Sequence, residues 1–272
     1  MKPLSSTSAL VLLWAGQECY QGTWARDYLG QLNLEDGRNL YERCRKICPY
    51  YGEVIKNRKF GVFHLVQQCL AEGAGNPQLV IAGAGFDALG LEIAELYPHV
   101  KVFELDKENM NVKSRLATAS GRVAHGNIVF IEANLLNAAE VQRSLSACGW
   151  NPDDTTLLVL EGISYYLPTG AIQKLVHITK PHCVIFEFLK RDEDVAAKRV
   201  HIPREVFGLI SNLCGLTNIR KYRARQLGQV FDALSVSERY SMKQLEKMRT
   251  GSNRFFPTED SGWIEVCLLM HQ

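Results

Sequence analysis

Short apolar runs alternate with amphipathic segments through the middle of the chain. The apolar runs predict strands at positions 79–82, 100–105, 127–133, 155–160 and 183–189. Apolar residues at helical spacing predict a helix over 89–96, and further helices are expected over the polar segment 108–121 and over 138–147 and 169–180. Strands that alternate with helices in this way indicate a mostly parallel sheet with helices on both faces. The pattern therefore predicts an α/β, Rossmann-like fold.

The two ends of the chain depart from this alternation. Before the first strand, residues 1–30 predict a helical cap, and 39–72 predict a helix that breaks near Pro49. After the fifth strand, the predicted elements are a helix over 205–214, a helix over 242–249 that Ser241 caps, and a strand over 263–270. The central sheet is thus expected between a helical cap and an insertion.

We expect a single domain, because no linker in the sequence is convincing enough to divide the chain. Its three parts are a helical cap and lead-in over 1–75, a cofactor-binding core over 76–189, and a substrate-side insertion with the final strand over 190–272.

The unit over 78–106 carries the first candidate chemistry. Gly83 and Gly85 follow the first strand at once, and glycines there let the backbone turn tightly and approach a ligand closely. Glu104 and Asp106 end the second strand, where a carboxylate can accept hydrogen bonds from a ribose diol. We interpret this unit as the adenosine-binding half of a Rossmann-like sheet.

The glycine turn fits two kinds of adenosine cofactor. Its sequence GAGFDA matches the looser dinucleotide fingerprint, with alanine at the third glycine position. Asp87, a possible cap of the following helix, would repel a pyrophosphate bound at that helix N-terminus. A cationic cofactor without phosphates, such as S-adenosylmethionine, would tolerate this carboxylate. The charge at Asp87 therefore favours S-adenosylmethionine over NAD.

Polar residues also follow the third and fourth predicted strands. Asn134 is placed to meet an adenine edge, and Glu161 begins a plausible site edge. Ligands of parallel sheets bind outside the carboxyl ends of the strands. Gly83, Asp106, Asn134 and Glu161 should therefore share one rim of the sheet.

Three further side chains are candidates with structural alternatives. Tyr165 and Tyr166 could orient an acceptor oxygen, or could pack in the core as ordinary aromatics. Arg58 could hold a cofactor carboxylate with two hydrogen bonds, or could lie solvated on a helix. The sequence assigns no catalytic base, so these two tyrosines are the only catalytic candidates.

The composition of the chain limits the binding partners and the cellular compartment that we expect. The 272 residues are 46% hydrophobic, which is ample for a core, and the net charge is only +2. This balance gives no electrostatic reason to expect nucleic acid or an anionic membrane as a partner. The first apolar run, over 9–15, is too short for a membrane span or a signal peptide. Eight scattered cysteines predict reduced thiols, a cytoplasmic location and no metal site.

Several motifs together carry a family resemblance. GAGFDALG, FELD and EGISYYLP stand at the tips of three predicted strands, and NRKFGVFHLVQQCL precedes the first strand. In this order and spacing, the chain resembles the leucine carboxyl methyltransferase-like family of S-adenosylmethionine-dependent methyltransferases. The segment SSTSALVLLWAGQECY is similar to the N-terminal segment of that family. The resemblance covers nearly the whole chain and is weakest from 190 to 262.

The resemblance implies how S-adenosylmethionine would be held. Arg58 would bind the methionine carboxylate, and Glu161 would approach the methionine amino group. Gly83 would line the methionine portion, with Gly85 beside it in the same turn. Asp106 would hold the ribose hydroxyls.

The resemblance also assigns the adenine end and the acceptor side. Asn134 and Leu135 would flank the adenine, and Tyr166 would line the substrate side. Three positions depart from the family pattern: Asn134 replaces an aspartate, residues 88–90 replace a common arginine, and Ser6 is the closest match to an N-terminal lysine.

The implied activity is O-methylation, with the carboxylate of a small molecule or of a peptide C-terminus as the expected acceptor. The donor is already activated, so the protein mainly aligns the acceptor and excludes water. Two alternatives stay open at this point. One is an NAD-dependent oxidoreductase built on the same fingerprint, and the other is a catalytically silent Rossmann-like binding subunit. The sequence does not reveal the oligomeric state.

Overall fold

The computed structural model describes residues 4–72, 75–119, 126–214, 218–231 and 233–271. The start of the predicted cap and positions 120–121 of the predicted helix over 108–121 lie outside the described residues. No helix among the described residues is long and apolar enough to cross a membrane.

Helices precede, separate and follow the strands along the chain, and they pack around the sheet. In chain order they are α1 (Ser6–Ala15), α2 (Thr23–Gly30), α3 (Glu35–Ile47), α4 (Tyr51–Glu72), α5 (Leu89–Leu96), α6 (Met110–Thr118), α7 (Ala138–Ala147), α8 (Thr169–Thr179), α9 (His201–Cys214) and α10 (Met242–Thr250). Short 3-10 helices occupy Gln17–Cys19, Asp192–Asp194 and Ala224–Gln229.

The strands form one seven-stranded sheet in the order β3-β2-β1-β4-β5-β7-β6. They are β1 (Gln78–Ala82), β2 (Lys101–Asp106), β3 (Ile128–Glu132), β4 (Thr156–Leu160), β5 (Cys183–Leu189), β6 (Leu234–Ser241) and β7 (Ile264–His271). The first five strands pair in parallel, whereas β7 runs antiparallel to both β5 and β6. The predicted Rossmann-like architecture is confirmed.

The core lies on both faces of this sheet. On β4, Leu157 and Val159 belong to one apolar cluster, whereas Leu158 and Leu160 belong to the other. The first cluster includes buried residues of α1, α3, α4 and α9, and the second includes buried residues of α7 and α8. Strands covered on both faces are expected to be apolar, as the four residues of β4 that follow Thr156 are.

The boundaries of several helices refine the sequence predictions. The break near Pro49 is confirmed, since α3 ends at Ile47 and α4 begins at Tyr51. Ser241 caps α10 as predicted, because its hydroxyl accepts from the backbone N–H of Gln244 and the Gln244 side chain accepts in return. The prediction that Asp87 caps α5 is wrong. Its side chain makes no capping hydrogen bond to α5, which begins two residues later at Leu89.

Strand β6 was not predicted from the sequence. It lies at the edge of the sheet, and most of its side chains are partly or fully exposed. A register shift between Val236 and Glu238 interrupts its pairing with β7. Charged residues and a bulge are common on edge strands, where they hinder pairing with other chains. The same features hide the strand from an analysis based on apolar alternation.

Candidate functional site

The parallel pairing of β3, β2, β1 and β4 brings four strand tips to one edge of the sheet. Ala82 pairs with Leu105, and Ile81 pairs with Val159, so the glycine turn after β1 lies between the tips of β2 and β4. The loop after β3 lies next to the tip of β2. The predicted rim, with Gly83, Asp106, Asn134 and Glu161 on neighbouring loops, is therefore present in the fold.

Gly85 and Asp106 connect the first two tips directly. The backbone N–H of Gly85 donates to Asp106 Oδ2 at 2.8 Å, and the N–H of Lys107 donates to Oδ1 at 2.7 Å. Gly85 has a φ of +48°, and among the described residues a Cβ built there would come within 4 Å only of Asp106 Oδ2, at 3.8 Å. The carboxylate is thus fixed in place, keeps further lone pairs to accept hydrogen bonds, and faces a turn with room for a ligand.

Gly83 packs closely against another loop of the rim. Its φ is +76°, and a built Cβ would lie 2.8 Å from Cγ1 of Ile163, in the loop after β4. The glycine at this position therefore lets two rim loops pack together, and its contact with a ligand would involve backbone atoms only.

Arg58 and Glu161 form a buried ion pair across the rim. Arg58 Nε donates to Glu161 Oε1 at 2.9 Å, and each side chain is only 4% exposed. Arg58 Nη1 also donates to the hydroxyl of Tyr165 at 3.4 Å. The alternative that Arg58 is a solvated helix charge is therefore wrong. Three consecutive polar residues of α4, positions 57–59, are buried here.

Lys59 was not singled out in the sequence, yet it is central to this cluster. Its ammonium lies 2.7 Å from Glu161 Oε1 and also contacts the carboxylate of Asp87. The Tyr20 hydroxyl donates to the same Asp87 carboxylate. A buried lysine with two acidic partners satisfies the rule that buried charges are paired.

These contacts change the interpretation of Asp87. Burial raises the pKa of this carboxyl, but the Lys59 ammonium and the Tyr20 hydroxyl outweigh burial and hold the pKa at about 2. Asp87 is therefore ionised but already neutralised by Lys59. The prediction that Asp87 is a free carboxylate that repels a pyrophosphate is therefore wrong. The charge at Asp87 does not distinguish S-adenosylmethionine from NAD.

Glu104 cannot serve as a ribose ligand, because it is buried and paired with Lys113. Its side chain is 1% exposed and lies 2.5 Å from the Lys113 ammonium, which is also fully buried. Burial raises the pKa of Glu104, and Lys113 opposes that shift. Asp106 is the carboxylate at this strand tip that stays accessible.

The two residues predicted at the adenine end differ in their surroundings. Asn134 is exposed, and its Oδ1 accepts from the backbone N–H of Leu136 at 3.0 Å. Leu135 is buried and packs in the second apolar cluster. Asn134 is thus oriented by its own loop, whereas Leu135 supports the loop from beneath.

Tyr165 and Tyr166 pack edge to face, with ring centroids 4.7 Å apart. Burial raises the pKa of Tyr165 well above its usual range, and the nearby Glu187 carboxyl adds to this effect. The phenol therefore stays protonated at neutral pH, so it can orient a group by hydrogen bonding but cannot serve as a base. The position of Tyr165 is compatible with both predicted roles, which are orientation of an acceptor oxygen and packing in the core.

Glu187 is a further residue that the sequence analysis missed. It lies on β5, is fully buried, and its Oε2 accepts from the backbone N–H of Gly162 at 2.7 Å. Burial raises its pKa to about 7, although Arg58 lowers it. The signal was present in the sequence, since one carboxylate interrupts the apolar run CVIFEFL of a central strand.

A basic cluster and two cavities are the alternative candidate sites. The basic cluster, formed by Arg220, Lys221, Arg223 and Arg225, borders the loop after β4, since the backbone N–H of Arg220 donates to the carbonyl of Tyr165. The cluster is partly neutralised, because Lys221 contacts Asp192 and Arg223 lies 2.9 Å from Asp194. Cavities of about 520 and 370 Å³ lie beside β6 and between α8 and β7. Neither cavity is lined by a predicted site residue, so the charged rim is the better candidate for chemistry.

Comparison with known proteins agrees with this geometry. A DUF574 family protein from Streptomyces avermitilis superposes with a TM-score of 0.72 at 12% identity, covering 98% of each chain. A candidate methyltransferase from Thermobifida fusca superposes with a TM-score of 0.66 at 13% identity, covering 93% of this chain and 96% of that one. At such identities the likeness shows the fold alone. No curated protein matches this chain in sequence.

The family comparison goes further than the fold. The model of the leucine carboxyl methyltransferase family matches residues 26–179, which is more than half of the chain and includes every predicted site residue. The chain therefore belongs to the leucine carboxyl methyltransferase family and is an S-adenosylmethionine-dependent methyltransferase.

Proposed function

We propose that this chain binds S-adenosylmethionine along the rim and transfers its methyl group to an acceptor oxygen. The expected acceptor is a carboxylate, either of a small molecule or of a peptide C-terminus. The observation that carries this proposal is the buried pair of Arg58 and Glu161 beside the glycine turn.

The methionine head group of the donor matches this pair in charge. It brings one carboxylate, which the Arg58 guanidinium can bind, and one ammonium, which Glu161 can accept. Within the described residues, Glu161 Oε2 is buried and has no hydrogen-bond partner. A buried polar atom left in that state costs about 1–3 kcal/mol, and a ligand ammonium would remove the cost.

The adenosyl end fits the other side of the glycine turn. Asp106 would accept the ribose hydroxyls, next to the open space at Gly85. Asn134 would meet the adenine edge, and Leu135 would hold that loop from the core side. Gly83 would contribute its backbone to the methionine portion.

When bound, the sulfonium supplies an activated methyl group, whose C–S bond breaks as the C–O bond to the acceptor forms. The chain has to align the acceptor and exclude water. Tyr165 keeps its proton because it is buried, so it can donate a hydrogen bond at neutral pH. A carboxylate acceptor is already ionised at that pH and needs no base, which agrees with this environment.

Isothermal titration tests the donor. We expect S-adenosylmethionine and S-adenosylhomocysteine to bind, and NAD to bind weakly or not at all. A labelled-methyl assay over carboxylic metabolites and short peptides then tests the acceptor, with base-labile methyl ester as the expected product. Tight binding of NAD with no binding of the other two ligands contradicts the proposal. Donor binding without product from any acceptor supports a silent binding subunit.

A further inference from the structure

A second buried carboxylate lies against the loop that begins with Glu161. Glu187 of β5 accepts a hydrogen bond from the backbone of Gly162, the residue after Glu161. The two carboxylates therefore flank one peptide unit of the chain. Glu187 Oε1 is buried and finds no hydrogen-bond partner in the part of the chain that the structure describes.

Unpartnered polar atoms are concentrated at this point. Glu161 Oε2, Ser164 Oγ and Glu187 Oε1 are all buried and lack a hydrogen-bond partner among the described residues. The first two belong to the loop after β4, and the third belongs to a residue that hydrogen-bonds this loop. Native proteins leave few buried polar groups unsatisfied. Two carboxylate oxygens and a hydroxyl left open, on this loop and on the residue that hydrogen-bonds it, indicate a ligand that donates several hydrogen bonds.

We propose that Glu187 and Glu161 together hold the ammonium group of the methyl donor, and that donor binding releases a proton from Glu187. This inference rests on the proposed function, because it assigns a further residue to the same donor site. An ammonium has three N–H donors, and a single carboxylate that already binds Arg58 and Lys59 cannot satisfy them all.

The surroundings of Glu187 make it the group whose proton would leave. Arg58 and Lys59 of α4 face it as cations, and Glu161 faces it as a like charge. Tyr165 is a further titratable neighbour of Glu187. Val266, the register partner of Glu187 on β7, is apolar. Burial raises the pKa of Glu187 to about 7, so the carboxyl is largely protonated below neutral pH. An ammonium placed beside it favours the ionised form.

The test compares two ligands by isothermal titration. S-adenosylhomocysteine carries the ammonium and gives no turnover, whereas 5′-methylthioadenosine has the same adenosyl thioether without the amino acid. Titrations between pH 6 and pH 7.5, in buffers of different ionisation enthalpy, measure the protons released on binding. At pH 7 we expect roughly half a proton to be released with S-adenosylhomocysteine and none with 5′-methylthioadenosine.

The variant Glu187→Gln keeps an acceptor for the Gly162 N–H but cannot ionise. We expect it to bind S-adenosylhomocysteine about tenfold more weakly at pH 7.5, with no proton release, while its affinity for 5′-methylthioadenosine is unchanged. Glu187→Asp keeps a carboxylate, so it should retain part of the proton release. Circular dichroism establishes that both variants are folded.

Three results would overturn the inference. If Glu187→Gln releases as many protons and binds as tightly as the parent, Glu187 plays no part in ammonium binding, although the proposed function stands. Equal proton release with 5′-methylthioadenosine would place the linked group elsewhere. If the parent protein binds neither ligand, the proposed function fails as well.

Discussion

The ammonium of Lys59 lies 2.7 Å from Glu161 Oε1 and at the same time contacts Asp87. Asp87 belongs to the glycine turn after β1, and Glu161 begins the loop after β4. One buried cation thus connects the two loops between which the donor's methionine head is expected. Neither its helix position nor its spacing in the sequence indicates this role.

The first prediction concerns this cation. Lys59→Met should lower the free energy of unfolding by about 3 kcal/mol at pH 7, because it leaves the buried carboxylate of Glu161 and the partly buried carboxylate of Asp87 without their shared partner. Lys56→Met, three residues earlier on α4, removes a lysine that is 25% exposed and pairs with the exposed Glu18. That control should change stability by less than about 1 kcal/mol. Urea denaturation of both variants measures the difference, and equal losses would contradict the structural role of Lys59.

The second prediction concerns the ribose. Asp106→Asn should weaken binding of S-adenosylhomocysteine by about 1–3 kcal/mol, through loss of charge-assisted hydrogen bonds. Glu108→Gln is a matched control, since it removes an exposed carboxylate two residues away that pairs with the exposed Lys107. Isothermal titration should show near-parental affinity for the control. Parental affinity of Asp106→Asn would mean that the ribose lies elsewhere.

A third prediction uses the pH dependence of stability. Burial raises the folded pKa of Glu187 to about 7, above its unfolded value, so its contribution to stability is complete below about pH 4.5 and is lost as the pH rises through 7. The donor-free parent should therefore lose about 1–3 kcal/mol relative to Glu187→Gln between pH 5 and pH 8. Urea denaturation at both pH values measures this difference. Parallel stability curves for the two proteins would show that the carboxyl titrates normally.

The contact between Gly83 and Ile163 gives a fourth prediction. Gly83→Ala should destabilise the fold by about 1–3 kcal/mol, because the new methyl group meets Ile163 at a backbone φ of +76°. Adding Ile163→Ala should recover the steric part of this loss and leave the backbone strain. Thermal unfolding of the two single variants and the double variant measures the coupling. Strictly additive losses would show that the two side chains do not compete for space.

Much of the fold could be predicted from local pattern. The five parallel strands are continuous apolar runs, and Ser241 followed by Gln244 is a recognisable capping box. Strand β6 was not predicted, because an edge strand with a bulge lacks such a pattern. The division of the chain into one domain with three parts stays a prediction.

The positions of the rim residues could be predicted from the sequence. Which of their charged side chains form ion pairs could not. The strand tips follow from parallel order alone, which placed Asp106 and Glu161 on one edge. Lys59 and Glu187 became visible only through contacts between distant segments, since Lys59 meets Asp87 across a helix and a strand. Spacing indicates which residues share an element, whereas burial and pairing depend on how the elements pack.

The central claim is that the rim holds an adenosyl donor by its amino acid head, and a crystal structure with S-adenosylhomocysteine tests it most directly. We predict the ligand carboxylate on Arg58, its ammonium within hydrogen-bond distance of Glu161 Oε2, and its ribose hydroxyls on Asp106. A ligand bound away from these three residues, or with its head group and ribose exchanged along the rim, would contradict the account.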